Sequence, residues 1–183
     1  MSSVSEVIDL AAHCLGLAQS GGSSGGQEGG ATIPDEEKNY LLRCVNLVAG
    51  DLAMHAVPLV KSKTVAVTQG FVMYAMIDKN LTEVVSLATR QGKKARFTPY
   101  SDRLLAEDGI YVVTYKYLPG TLTEEDDLPF PAAVGVKAVV YGVACEYCII
   151  SGRNNETLFL KERELLEDKK PQKAGVMPQR KWY

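Results

Sequence analysis

Apolar residues open the chain at helical spacing. Val4, Val7, Ile8, Ala11, Leu15 and Ala18 recur near a 3.6-residue period and predict a short amphipathic helix over residues 3–19. Ser3 and Glu6 have the spacing of a capping box at its start. From Ser20 to Thr32 the pattern disappears: six of thirteen residues are glycine, the composition of a flexible coil with a reach of about 20 Å. A second helix is predicted from Thr32 and Pro34, with Asp35, Glu36 and Glu37 at the positive end of its dipole. Leu41, Val45, Val48 and Leu52 mark its buried stripe, and Pro58 its end.

The period then changes. Thr64–Thr68, Phe71–Ile77, Glu83–Ala88, Arg96–Thr98, Arg103–Ala106 and Ile110–Tyr117 read as short strands. Turn residues at Gly70, Asp78–Asn80, Gln91-Gly92, Pro99 and Asp108-Gly109 separate them. The run Leu81–Arg90 is read as strand rather than helix, because it is short and ends in a Gln-Gly turn. After a loop from Pro119 to Pro131, fifteen of the twenty residues to Ile150 are apolar, and Lys137 and Glu146 are the only charges. Gly152 suits a helix C-cap, Asn154 or Asn155 the next N-cap, and a last helix is predicted to run to about Asp168. Pro171 stops it.

These elements predict an α+β fold: a helical bundle with a small antiparallel β-unit inserted between the second and third helices, plus an extended C-terminal tail. The organisation expected is an N-terminal helix (1–19), a Gly/Ser linker (20–32), an α+β domain (33–168, β insertion about 61–118) and a basic aromatic tail (169–183).

Composition narrows the function. The chain has 183 residues, 46% hydrophobic, with 20 basic against 22 acidic side chains. A net charge of −2 argues against a general nucleic-acid coat. No Lys or Arg precedes Lys38, so a secretory signal's positive region is missing, and an intracellular chain with reduced thiols is expected.

The apolar stretch 131–150 is long enough to span a bilayer. Yet Lys137 and Glu146 fall on opposite helix faces. Gly135, Ala138, Gly142 and Cys145 form a stripe of small side chains, and Val139, Val143, Tyr147 and Ile150 one of large side chains. Two different apolar faces suit a helix between two packing partners, a core helix or one at a subunit interface, better than a membrane span.

Little in the chain suggests catalysis. Cys145 and Cys148 have the C-x-x-C spacing but lie near a helix C-terminus, where no dipole lowers a thiol pKa, and so read as buried, inert residues. Cys14, Cys44, His13 and His55 show no chelating spacing that would complete a zinc site. Phosphate-binding glycine loops and hydrolase signatures are missing. The acidic run Glu124–Asp127 reads as a solvated loop, since consecutive acids do not converge on one cation. No catalytic residue, metal or other cofactor is expected.

Residues 169–183 are more telling. They carry five basic side chains, no acid and the single tryptophan: Lys169, Lys170, Lys173, Arg180, Lys181 and Trp182. Trp, Tyr and Arg anchor interfaces, so Met177, Pro178, Arg180, Lys181, Trp182 and Tyr183 read as a docking segment. Folding back over the parent core, or acting as a nucleic-acid arm, are the alternatives.

Two stretches and the element order resemble a known class. The strand Gly109–Pro119, the loop Thr123–Pro129, the Ala/Tyr-rich helix ending Glu146-Tyr147 and the ending Arg180-Lys-Trp-Tyr183 are similar to head–tail adaptor (connector, neck) proteins of tailed bacteriophages, over about 33–183. The resemblance implies a structural virion protein, made in the host cytoplasm and located in the neck between capsid and tail. It would form a homo-oligomeric ring of twelve that docks on the portal protein ring. It would meet the next neck or tail component and pass DNA through its channel without specific binding, with no membrane involved. By position, Met177–Tyr183 would dock on the portal, and Gly135, Ala138, Gly142 and Cys145 would allow close packing of subunits. Another neck or tail-completion protein, or a nucleic-acid-binding module acting through the basic tail, are the other functions considered.

Overall fold

A computed structural model of the chain describes residues 2–17, 33–131 and 134–167. The linker (20–32) and the basic aromatic segment (169–183, including Met177–Tyr183) therefore lie outside the described residues. Among the described residues, five α-helices and six strands follow in the order α1 (Val4–Leu15), α2 (Asp35–Asp51), β1 (Leu59–Val67), β2 (Phe71–Met73), α3 (Tyr74–Ile77), β3 (Leu81–Thr89), β4 (Thr98–Pro99), β5 (Arg103–Leu105), β6 (Gly109–Tyr117), α4 (Val136–Ser151) and α5 (Glu156–Glu167). A single π turn, Leu52–Ala56, extends α2, with the Val57 N–H donating to the Leu52 carbonyl at 2.7 Å.

The helix ends follow local chemistry. Ser3 Oγ accepts from the Glu6 N–H at 3.1 Å, and Gly16 closes α1 at φ +68°. Gly152 does the same for α4 at φ +68°, and Asn154 Oδ1 accepts the Glu156 N–H at 3.0 Å to start α5. None of the described helices is long and apolar enough to cross a membrane.

The expected architecture is corrected. The chain is α+β, but it is not a helical bundle carrying one β-unit between its second and third helices. Its longer helices are grouped at the two ends of the chain, and the segment between them forms two three-stranded antiparallel sheets, β1-β6-β3 and β2-β5-β4, with α3 among their strands. The division begins at one turn. Gln69 (φ 59°) and Gly70 (φ 79°) lead the chain out of β1, the Gly70 N–H donates to Asp108 Oδ1 at 2.7 Å, and β2 pairs with β5. The first sheet is completed by β6, which lies between β1 and β3.

The strand expected over Phe71–Ile77 is also shorter than its composition suggests. After Met73 the chain makes one helical turn that buries Ile77, and Lys63 Nζ donates to the free carbonyls of Met76 (3.0 Å) and Ile77 (2.7 Å).

Two clusters hold the structure. One lies within the sheets: Val65, Val67, Tyr111, Val113 and Leu87 from the first, with Val72 and Leu104 from the second. The other joins Val4 and Ile8 of α1, Leu41 and Val45 of α2, and Val139 and Val143 of α4. The first helix, separated by the linker, is thus part of the helical core. The acidic loop holds it there: the Val4 N–H donates to the Asp126 carbonyl (2.9 Å), the Leu128 N–H to that of Ser2 (3.0 Å), and Lys38 pairs with Glu124. Asp126 is itself fixed by the Thr123 N–H and Oγ1 at 2.7 and 2.8 Å, which hold its carboxyl below the usual range.

A candidate assembly surface

Helix α4 contacts α1, α2 and α5. Its side toward α2 and α5 forms the floor of an open groove. The apolar walls are Leu47 and the π-turn residue Met54 on one side, Ile149 of α4, and Phe159 of α5. They are 55%, 56%, 57% and 51% exposed, a large apolar area to leave in water at one place.

Glu162 stands in this groove, on α5 one turn beyond Phe159. It is half-buried, and its carboxyl is pushed above the ordinary value by loss of solvent, then by the nearby carboxylates of Asp51 and Glu146. Its position depends on a glycine. A Cβ placed on Gly142 would lie 2.5 Å from Glu162 Oε1 and 3.0 Å from Val48 Cγ1, so α5 and α2 both close on α4 where a side chain is missing.

The residues singled out for subunit packing are distributed as follows. Gly142 and Cys145 line the groove. Ala138 is buried, and Gly135 precedes α4 at φ +73°, beside Phe130 and Val136 in a separate depression. Cys145 and Cys148 are both buried and free, Cys145 Sγ accepting from Asn155 Nδ2 at 3.3 Å. Cys44 is also buried, which pushes its thiol up to about 11. Among the described residues no group of three or more His, Cys, Asp or Glu is placed to hold a metal ion.

The apolar groove residues escaped the sequence reading because they lie off the stripes that define the core. A signal existed on α2: Tyr40, Leu47 and Met54 recur every seven residues outside the stripe Leu41–Val45–Val48–Leu52, marking a second, exposed apolar line. No known protein family matches the chain, and no curated protein matches it.

Proposed function

We propose that this chain is a structural subunit of a tailed-phage neck, a head–tail adaptor that joins copies of itself in a ring beneath the portal and takes no part in catalysis. One observation carries the reading: four half-exposed apolar side chains, Leu47, Met54, Ile149 and Phe159, gathered in a single groove between helices. Such a surface suits contact with another protein, since burying it removes roughly 25 cal/mol of unfavourable hydration for each Å² covered. The resemblance of Gly109–Pro119, Thr123–Pro129 and the Arg-Lys-Trp-Tyr ending to head–tail adaptors supports taking that assembly to be a phage neck. In this role residues 177–183 dock on the portal, and the groove receives a neighbouring subunit.

Co-sedimentation of the purified chain with its cognate portal ring tests the proposal. Stoichiometric binding, lost on truncation after Asp168 and weakened in rings formed by Leu47→Asp, is the expected result. Failure of the full-length chain to bind portals or DNA-filled heads overturns it.

A further inference from the structure

We propose that the turn joining β3 to β4 is a contact site for the phosphate backbone of duplex DNA. Four cations, Arg90, Lys93, Lys94 and Arg96, fall within seven residues, and all are exposed. No acidic residue occurs from Val84 to Ser101, although the chain as a whole has net charge −2.

The neighbouring acids are largely committed elsewhere. Glu83 pairs with Lys116 at 2.6 Å, Asp102 with Arg103 at 2.9 Å, and Asp108 accepts the Gly70 N–H. Glu107 shares a shallow depression with Arg96. Among the described residues none of the four cations makes an ion pair.

The turn is built rather than loose. The Gly92 N–H donates to the Thr89 carbonyl and the Thr89 N–H to that of Lys93, both at 2.9 Å. Thr89 Oγ1 accepts the Lys93 N–H at 3.3 Å, and the Ala95 N–H donates to the Leu87 carbonyl at 2.9 Å. Gly92, at φ +81°, supplies the left-handed residue that this short reversal requires. The cations are therefore held out from the end of the sheet on a defined backbone.

Phosphate fits this tip better than a protein partner does. Protein interfaces are anchored by aromatic or apolar side chains in pockets; Arg90-Gln-Gly-Lys-Lys94 contains none, and Ala95 and Phe97, which flank Arg96, are partly buried against the core of the sheets. Phosphate contacts need only exposed donors and positive charge, and they carry no sequence information. The inference deepens the adaptor reading and rests on it for the choice of duplex DNA, the molecule that would pass such a ring.

Fluorescence anisotropy of the full chain with a 30-base-pair duplex of arbitrary sequence provides the test. Four phosphate contacts give a slope of about −3.6 in log affinity against log salt, a loss of about 150-fold between 50 and 200 mM. The variant Arg90→Ala/Lys93→Ala/Lys94→Ala/Arg96→Ala is expected to bind more weakly, with a slope shallower by about 3.6. A variant with only Lys93→Ala and Lys94→Ala gives half that change, and circular dichroism checks that both remain folded. An unchanged slope in the fourfold variant, or no binding by the parent chain at 50 mM salt, overturns the inference. Loss of portal binding with DNA affinity intact in the fourfold variant also overturns it, in favour of an acidic protein surface. The parent chain's own portal co-sedimentation separates the two proposals: DNA binding without portal binding leaves this site standing and removes the adaptor reading.

Discussion

Gly142→Ala is the most informative single substitution, because two effects of similar size oppose each other there. Alanine in a helix interior is favoured over glycine by about 1 kcal/mol, so the change should stabilise an unobstructed helix. At this position the new methyl meets Glu162 Oε1 at 2.5 Å and Val48 Cγ1 at 3.0 Å. The carboxylate ends a flexible side chain and can turn out into solvent. Val48 is buried in the helical core and has no such route, and carbon atoms attract best only at about 3.5–4.0 Å. Overpacking of this kind costs about 1–3 kcal/mol. The expected net loss is therefore about 1 kcal/mol, or roughly 2–4 °C in Tm for a chain of this size.

The pH dependence gives an independent readout. Glu162 is held above its ordinary value of 4.5, so the folded chain binds this proton more tightly than the unfolded one. Its contribution to stability is present at low pH and is lost as pH rises from 4.5 through the raised value. Expelling the carboxylate should flatten that slope. Urea unfolding of both proteins at pH 5 and pH 7, taken as a difference so that other groups cancel, measures it. A variant more stable by about 1 kcal/mol, with the slope intact, would refute the close approach of α5 to α4.

The other predictions concern the helical core. Asn46 Oδ1 accepts the Leu122 N–H at 2.7 Å, while Nδ2 donates to the carbonyls of Leu122 and Leu42 at 3.1 and 3.0 Å. Asn46→Ala should cost about 2 kcal/mol in urea unfolding, because three modest bonds are lost together. It should also open the segment 118–127 to limited proteolysis; equal digestion of both proteins would count against the clamp. Of the four cysteines only Cys14 is exposed, and a native chain should release one thiol rapidly to an aromatic disulfide reagent and three more on denaturation. Cys14→Ser should remove the rapid phase, and its persistence would contradict the burial of the others.

Local chemistry was legible wherever a few neighbouring residues decide the outcome. Ser3 caps α1 and Gly152 closes α4 because cap geometry is set within one turn of chain. Strand positions were legible for the same reason, but not their partners. The pattern reads Phe71–Ile77 and Ile110–Tyr117 alike as strands, and only the turn at Gln69-Gly70 sends β2 away from β1 into a second sheet. The turn at Tyr74–Ile77 was hidden because Lys63, eleven residues before it, satisfies its carbonyls. In the groove, the small-residue stripe directed attention to α4. Nothing local indicates that Glu162 comes to rest against Gly142, a contact between side chain and backbone twenty residues apart.

The placement of α1 against α4 also constrains how the molecule is made. The strand contacts all join residues within 59–117, so each closes a loop of fewer than about 60 residues. The helical core requires Val4 and Ile8 to meet Val139 and Val143, more than 130 residues later in synthesis. The entropy of closing so long a loop favours the nearer pairings in time. As the chain leaves the ribosome, the sheets and the α1–α2 contact can therefore close while the faces of α1 and α2 that meet α4 are still uncovered. The helical core can be completed only once α4 has emerged and packs on the first two helices.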